Sequence, residues 1–177
     1  ESCEVVLETL NVDYSICLLS DSEKEVDFYI RKNEPRCTGN SIYRENTSFY
    51  DDDQILIEKK QTKTLSNLLN NQTFDLIKID VQGSEIDIIN GGLDIIKNAK
   101  GVLMEISLVE YNQNAPVKEF VYEYMLNLGF TPIDNIGNIK AIYGGRSNDK
   151  IIIRTCGIFD IIENYVDRVI FDTENEP

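Results

Sequence analysis

DLIKIDVQGSEIDIINGG, residues 75–92, is the stretch whose reading decides the fold. An apolar strand, Phe74–Val81, carries a lysine and an aspartate, breaks at Gly83, and runs directly into an acidic amphipathic segment. Alternate side chains of a strand share a face, so Leu76, Lys78 and Asp80 point one way and Ile77, Ile79 and Val81 the other. A parallel strand in the middle of a sheet is buried on both faces, where Lys78 and Asp80 are costly unless they pair or lie near the open end. An ion pair with Asp80 or another acid is the plainer role for Lys78. Asp80 closes the strand at its carboxyl end, where α/β sheets bind ligands in a crevice. Gly83 allows the sharp turn that follows and the close approach of a ligand. Glu85 falls in the first turn of the next helix, where a carboxylate favours the helix dipole, and a ligand contact is the alternative.

Working outward, Glu85–Asn98 has Ile86, Ile89, Leu93 and Ile96 at helical spacing. Gly91 and Gly92 inside that pattern cost about 1 kcal/mol each against alanine, which a close packing contact would justify. Gly101–Leu108 is the next strand. Pro116 fits the first turn of a helix with Val121, Tyr124, Met125 and Leu128 on one face and Gly129 as its C-cap. Further strands are expected at Phe130–Ile133, Ile151–Thr155 and Val166–Phe171, with a loop at Asn135–Asp149. On the N-terminal side, the pattern predicts a helix over Cys3–Leu10 and strands at Tyr14–Leu19, Val26–Ile30 and Gln54–Glu58. Thr64 caps a short helix that turns Leu65, Leu68 and Leu69 inward. Residues 31–53, without periodicity, form a long loop of the kind that often carries function. Strand–helix alternation through residues 74–133 implies βαβ units and a parallel sheet, in one α/β domain over residues 1–177.

The 177 residues carry a net charge of −14, with Lys and Arg scattered, which argues against a nucleic-acid partner. No apolar run approaches a membrane span and no segment reads as a signal peptide, so a cytoplasmic protein is expected. Histidine is absent and no CxxC pair occurs, which removes Cys/His zinc sites and Ser–His or Cys–His catalysis. Cys3, Cys17, Cys37 and Cys156 are expected as free thiols, though an even count leaves disulfides open. Two N-x-S/T sequons, at Asn46 and Asn71, read as chance matches in an Asn-rich chain, and Asp51–Asp53 as a solvated acidic turn, so no metal is assigned. No GxGxxG and no GxxxxGK[ST] occurs.

The segment DLIKIDVQGSE, followed by IINGG, VLMEIS and YMLNLGF, resembles the second half of the FkbM-type methyltransferases. Upstream, CLLSD at Cys17–Asp21 is similar to that family's third-strand end near the adenine, and TGNSIYRE at Thr38–Glu45 to the loop that follows. The resemblance covers most of residues 4–133. It implies a Rossmann-like class I methyltransferase fold, mostly parallel with strand order 3-2-1-4-5-7-6, and S-adenosylmethionine as cofactor. The acceptor it implies is a hydroxyl on a small molecule or glycan. On the matching positions, Asp80 is the first candidate base and Glu105, at the next strand end, the second. Ser20, Asp21, Asp80, Gln82 and Gly83 are implied around the cofactor, and Gln82, Glu85 and Ser41 around the acceptor. The chain departs from the pattern in two ways. The segment Glu105-Ile106-Ser107 offers no imidazole after the strand, and the two strands bearing the glycine-rich cofactor loop are absent. An N-terminally truncated domain, a fragment with weak cofactor binding, is therefore expected. The strands flanking the missing pair would then meet directly, be bridged by a second chain in a homodimer, or await a segment outside this sequence. The competing class is a non-catalytic α/β interaction or dimerisation module.

Overall fold

The computed structural model describes residues 13–70, 72–135 and 166–172. The expected helix at Cys3–Leu10, the strand at Ile151–Thr155, most of the 135–149 loop, Cys3, Cys156 and the Asn71 sequon lie outside these residues. In chain order the strands are β1 (Leu18–Leu19), β2 (Glu25–Arg31), β3 (Ile55–Lys63), β4 (Leu76–Ile79), β5 (Gly101–Ser107), β6 (Thr131–Asn135) and β7 (Val166–Asp172). The helices are α1 (Leu65–Leu69), α2 (Glu85–Asn90), α3 (Leu93–Lys97) and α4 (Lys118–Asn127).

The strands form two sheets rather than one. The first has the order β1-β3-β2 and the second β4-β5-β7-β6. Only β1–β3 and β4–β5 pair in parallel; β2–β3, β5–β7 and β6–β7 are antiparallel. The expectation of a mostly parallel sheet is thereby corrected to a mixed α/β arrangement. The strand expected over Tyr14–Leu19 shrinks to Leu18–Leu19, because only Thr62 and Lys63 of β3 lie opposite it. Ile16, left without a partner strand, is 71% exposed. β3 is longer than expected, since its charged second half, EKKQTK, still pairs with β2 through Gln61 opposite Glu25. Lys59 and Asp27 face each other in that register and form an ion pair at 2.6 Å. Direct meeting of the two flanking strands is not what the described residues show: β1 and β4 lie in different sheets, and neither pairs on its outer edge.

The core sits on one face of the second sheet. Ile77 and Ile79 of β4 and Val102, Met104 and Ile106 of β5 are buried there. Against them pack Ile86 and Ile89 of α2, Ile95 and Ile96 of α3, and Val121 and Met125 of α4. On the other face Leu76 is 52% exposed and the Lys78 side chain 30%, so β4 is buried on one face, not on two as expected. The lysine end of the strand thus pays little desolvation.

Helix ends follow local chemistry. Thr64 Oγ1 accepts the Asn67 N–H at 3.2 Å, an N-cap of the expected kind, while Leu65 and Leu69 are buried and Leu68 half-buried. Pro116 precedes the first turn of α4 rather than entering it, with Val117 as N-cap. At the other end Gly129 takes φ +94°, its N–H reaching the Leu126 carbonyl and the Phe130 N–H the Met125 carbonyl, both at 3.0 Å. Those two bonds make a Schellman cap, with Phe130 and Met125 buried together. The single helix expected over Glu85–Asn98 is divided into α2 and α3 at Gly91–Gly92. The glycines do answer a packing need: a Cβ on Gly91 would lie 2.1 Å from the Ser20 carbonyl oxygen, and one on Gly92 2.6 Å from Leu65 Cβ.

Candidate functional site

Three segments meet where β4 ends. The first is the turn Asp80–Glu85; the others are the loop between β2 and β3 and the stretch that follows β5. Gly83 takes φ +95°, a conformation L side chains rarely adopt. Its bare face is filled by protein, since a Cβ there would lie 2.7 Å from Ala115 Cβ and 3.3 Å from those of Asn112 and Tyr43. Ser41 is buried, and its hydroxyl donates to the Gln82 carbonyl at 2.6 Å while accepting the Tyr43 N–H at 3.1 Å. Asn112 Nδ2 donates to the Tyr43 carbonyl at 2.8 Å, and the Tyr43 hydroxyl donates to Asp87 at 2.8 Å. The Tyr43 hydroxyl is held in its neutral form, its pKa raised first by burial and then by Asp87.

The carboxylates are set around that turn. The Asp80 side chain is 4% exposed and lies 2.5 Å from Lys78 Nζ, so the expected ion pair is formed. Glu85 is 7% exposed and accepts the Gly83 N–H at 3.2 Å. Burial pushes its carboxyl up to about 8 against the opposing pull of the backbone N–H groups of Glu85 and Gly83, and the nearby charges of Glu105 and Asp80 raise it further. The charges of Asp80, at the end of β4, and of Glu105, on β5, therefore both act on Glu85 in the first turn of α2. Glu105 is half-buried, and the β5–β7 register sets Arg168 opposite it.

Ser20 and Asp21 follow β1. Ser20 is fully buried, and its hydroxyl donates to Asp21 at 3.1 Å. Lys24, at 2.6 Å, is the main cause holding the Asp21 carboxyl below its ordinary range. The Asp21 charge also raises the Tyr43 hydroxyl pKa, and the Ser20–Asp21 backbone lies close against Gly91 at the end of α2. Asp80, Gln82, Gly83, Glu85 and Ser41 are thus gathered in one contact network, Glu105 joins them through its charge, and Ser20–Asp21 border it. Sequence reasoning does not single out Tyr43, Asp87, Asn112 or Ala115. Their roles here come from the approach of distant loops, which no local pattern encodes.

Glu85 makes a pH prediction. Its carboxyl titrates near 4.5 unfolded and near 8 folded, so the folded state holds the proton more tightly between those values. The contribution of Glu85 to stability is then full below the lower value, declines as pH rises through the window, and is gone above the upper one. Urea midpoints compared at about pH 5 and about pH 8.5 should fall, and Glu85→Gln should flatten that fall. An equally steep decline in the variant would clear Glu85 as its source.

Among the described residues no helix is long and apolar enough to cross a membrane, and no group of three or more Cys, Asp or Glu could hold a metal ion. Cys17 and Cys37 are free thiols. No curated protein and no solved structure matches the chain. The family model of the methyltransferase FkbM domain matches residues 2–132. That match spans well over half of the sequence and includes every segment that builds the turn; the chain belongs to the FkbM methyltransferase family.

Proposed function

We propose that this chain supplies the acceptor side and part of the cofactor side of an S-adenosylmethionine-dependent O-methyltransferase acting on a hydroxyl of a sugar or other small molecule. The observation that carries the reading is Asp80: a carboxylate 4% exposed at the lip of a parallel strand pair, inside a turn clamped by two other segments. The order β4-β5-β7-β6, with β7 antiparallel, supports it, because this is the 4-5-7-6 portion of the Rossmann-like sheet implied for the family.

The donor set fits the cofactor in part. Ser20 and Asp21 offer acceptors suited to the adenosine end, and Gln82 and Asp80 border the same side. No GxG loop for the amino-acid end occurs in the sequence. When bound, the cofactor supplies a methyl group on a sulfonium, open to in-line displacement by oxygen. The chain's residues align the acceptor and manage its proton. Asp80 takes that proton, with the Lys78 ammonium holding the carboxylate in place. Glu105 is the second candidate for the same role, and Glu85 holds the turn through the Gly83 N–H.

The test is a titration of the isotopically labelled chain with S-adenosylhomocysteine, followed by amide NMR. Shifts are expected at Ser20–Ser22 and Asp80–Gly83 with a weak Kd, about 1 mM. Their absence would discard the cofactor reading, and micromolar affinity would show that the site is not partial. The outer edge of β4, without a partner strand among the described residues, favours a second reading, a homodimer built by strand pairing between two copies. It requires a dimer mass in light scattering, and a monomer removes it.

A further inference from the structure

The turn after β4 contains one peptide unit that its own backbone leaves loose. Gly83 sits at φ +95°, and glycine populates negative φ about as readily. The Gln82–Gly83 peptide can therefore flip, as the peptide between the two central residues of a turn does when one turn type becomes another. A flip would carry the Gln82 carbonyl and the Gly83 N–H to opposite sides. In this structure the unit is held at both ends. The Ser41 hydroxyl donates to the Gln82 carbonyl at 2.6 Å, and Glu85 Oε1 accepts the Gly83 N–H at 3.2 Å. Glu85 belongs to the same turn, whereas Ser41 reaches it only because the loop between β2 and β3 crosses there.

Ser41 is itself anchored. Its carbonyl accepts the Tyr29 N–H of β2 at 2.8 Å, and its hydroxyl oxygen accepts the Tyr43 N–H at 3.1 Å. Tyr43 is tied in turn to Asp87 of α2 through its hydroxyl and to Asn112 through its carbonyl, both at 2.8 Å. The strap of residues 41–43 is thus fixed to β2, to α2 and to the segment after β5.

A serine hydroxyl has one proton and two lone pairs. The proton goes to Gln82, one lone pair to Tyr43, and Ser41 is 6% exposed, so no donor remains there for a ligand. The bare face of Gly83 is likewise filled, by Tyr43, Asn112 and Ala115. Ser41 and Gly83, both expected beside a ligand, shape the turn instead.

We propose that Ser41 and Tyr43 are positioning residues, which lock the Gln82–Gly83 peptide in one orientation and so hold Asp80 and Gln82 in place before a ligand arrives. A site ordered in advance loses less freedom on binding. The lock stands on the hydrogen bonds alone; its service to catalysis rests on the methyltransferase reading.

Amide hydrogen exchange, carbonyl-carbon NMR and titration with S-adenosylhomocysteine, all on the full 177-residue chain, test the proposal. In Ser41→Ala, exchange at Gly83 should accelerate about tenfold more than at Val102 and Met104 of β5, the signature of local opening, and the Gln82 carbonyl resonance should move. The Kd for S-adenosylhomocysteine should rise about fivefold, the loss of roughly one hydrogen bond. Tyr43→Phe, which removes one hydroxyl and keeps every backbone bond, should give the same pattern more weakly. Ser48→Ala, exposed in the same loop, should change none of it. Equal acceleration at Gly83 and in β5 would mean a general loss of stability, and that result, or an unaltered Gly83, would overturn the proposal. An unchanged Kd beside a loosened Gly83 would overturn the positioning role. Should Ser41→Ala not fold, Tyr43→Phe decides by the same readouts. A loosened Gly83 in a protein whose parent shows no shift with S-adenosylhomocysteine would discard the methyltransferase reading and leave the lock standing.

Discussion

Gly91→Ala is expected to destabilise the fold by about 3 kcal/mol, lowering the melting temperature by roughly 6–12 °C for a chain of this size. Helix propensity points the other way, since alanine gains about 1 kcal/mol over glycine in a helix. Packing wins because the new Cβ would stand 2.1 Å from the Ser20 carbonyl oxygen, 3.1 Å from its carbon and 3.4 Å from Asp21 Cα, all backbone atoms. That backbone has little freedom to retreat: the Ser20 N–H is bonded to the Lys63 carbonyl at 2.9 Å. Gly91 is held in turn by the Ser66 N–H on its carbonyl at 3.0 Å. Gly129→Ala is the control, with nothing within 4 Å of the added carbon and only the φ of +94° to oppose it, at about 1–2 kcal/mol. Thermal melts of the three chains decide the matter. A Gly91→Ala protein as stable as its parent would mean that the end of β1 and the end of α2 do not touch.

On the proposed chemistry, Asp80→Asn lowers methyl transfer by about 10²–10⁴-fold, the usual worth of a positioned base, with KM for the methyl donor changed far less. The fold should tolerate it, since asparagine keeps the shape and removes a nearly buried charge. Lys78→Met is expected to do the opposite. It strips the ammonium 2.5 Å from a carboxylate that is 4% exposed and costs about 2–3 kcal/mol, below the full buried-pair penalty because Lys78 itself is 30% exposed. The double variant should recover most of that loss. A cycle showing no coupling between the two positions would separate Lys78 from Asp80, and undiminished turnover of labelled methyl donor by Asp80→Asn would take Asp80 out of the chemistry.

Much of the site was legible because it is local. Asp80, Gln82, Gly83 and Glu85 lie within six positions, and a strand followed by a glycine turn and a helix dictates their placement. Lys78 and Asp80 share a face by the two-residue period of a strand, so their ion pair could be read directly. Glu85 was legible as a first-turn carboxylate, but not its raised pKa, which needs the burial and the neighbouring charges that only the packed site supplies. The contacts that Tyr43, Asn112 and Ala115 make over Gly83 were not legible, because they join loops far apart in the chain whose sequences carry no periodic signal.

By itself, the sequence determined where most of the strands and helices lie, which residues cap them, and which apolar stripes turn inward. Thr64 and Gly129 act through bonds to their own neighbours, and Ile86, Ile89 and Ile96 through helical spacing, so short-range physics suffices for them. Only the tertiary structure decided that the strands divide into two mixed sheets, that EKKQTK continues β3, and that the helix after Gly83 breaks at Gly91–Gly92. Those outcomes depend on partners far along the chain: Asp27 opposite Lys59, Ser20 against Gly91, Leu65 against Gly92. A backbone can follow a charged strand or interrupt a good helix when hydrogen bonding and packing between distant segments outweigh the local preference.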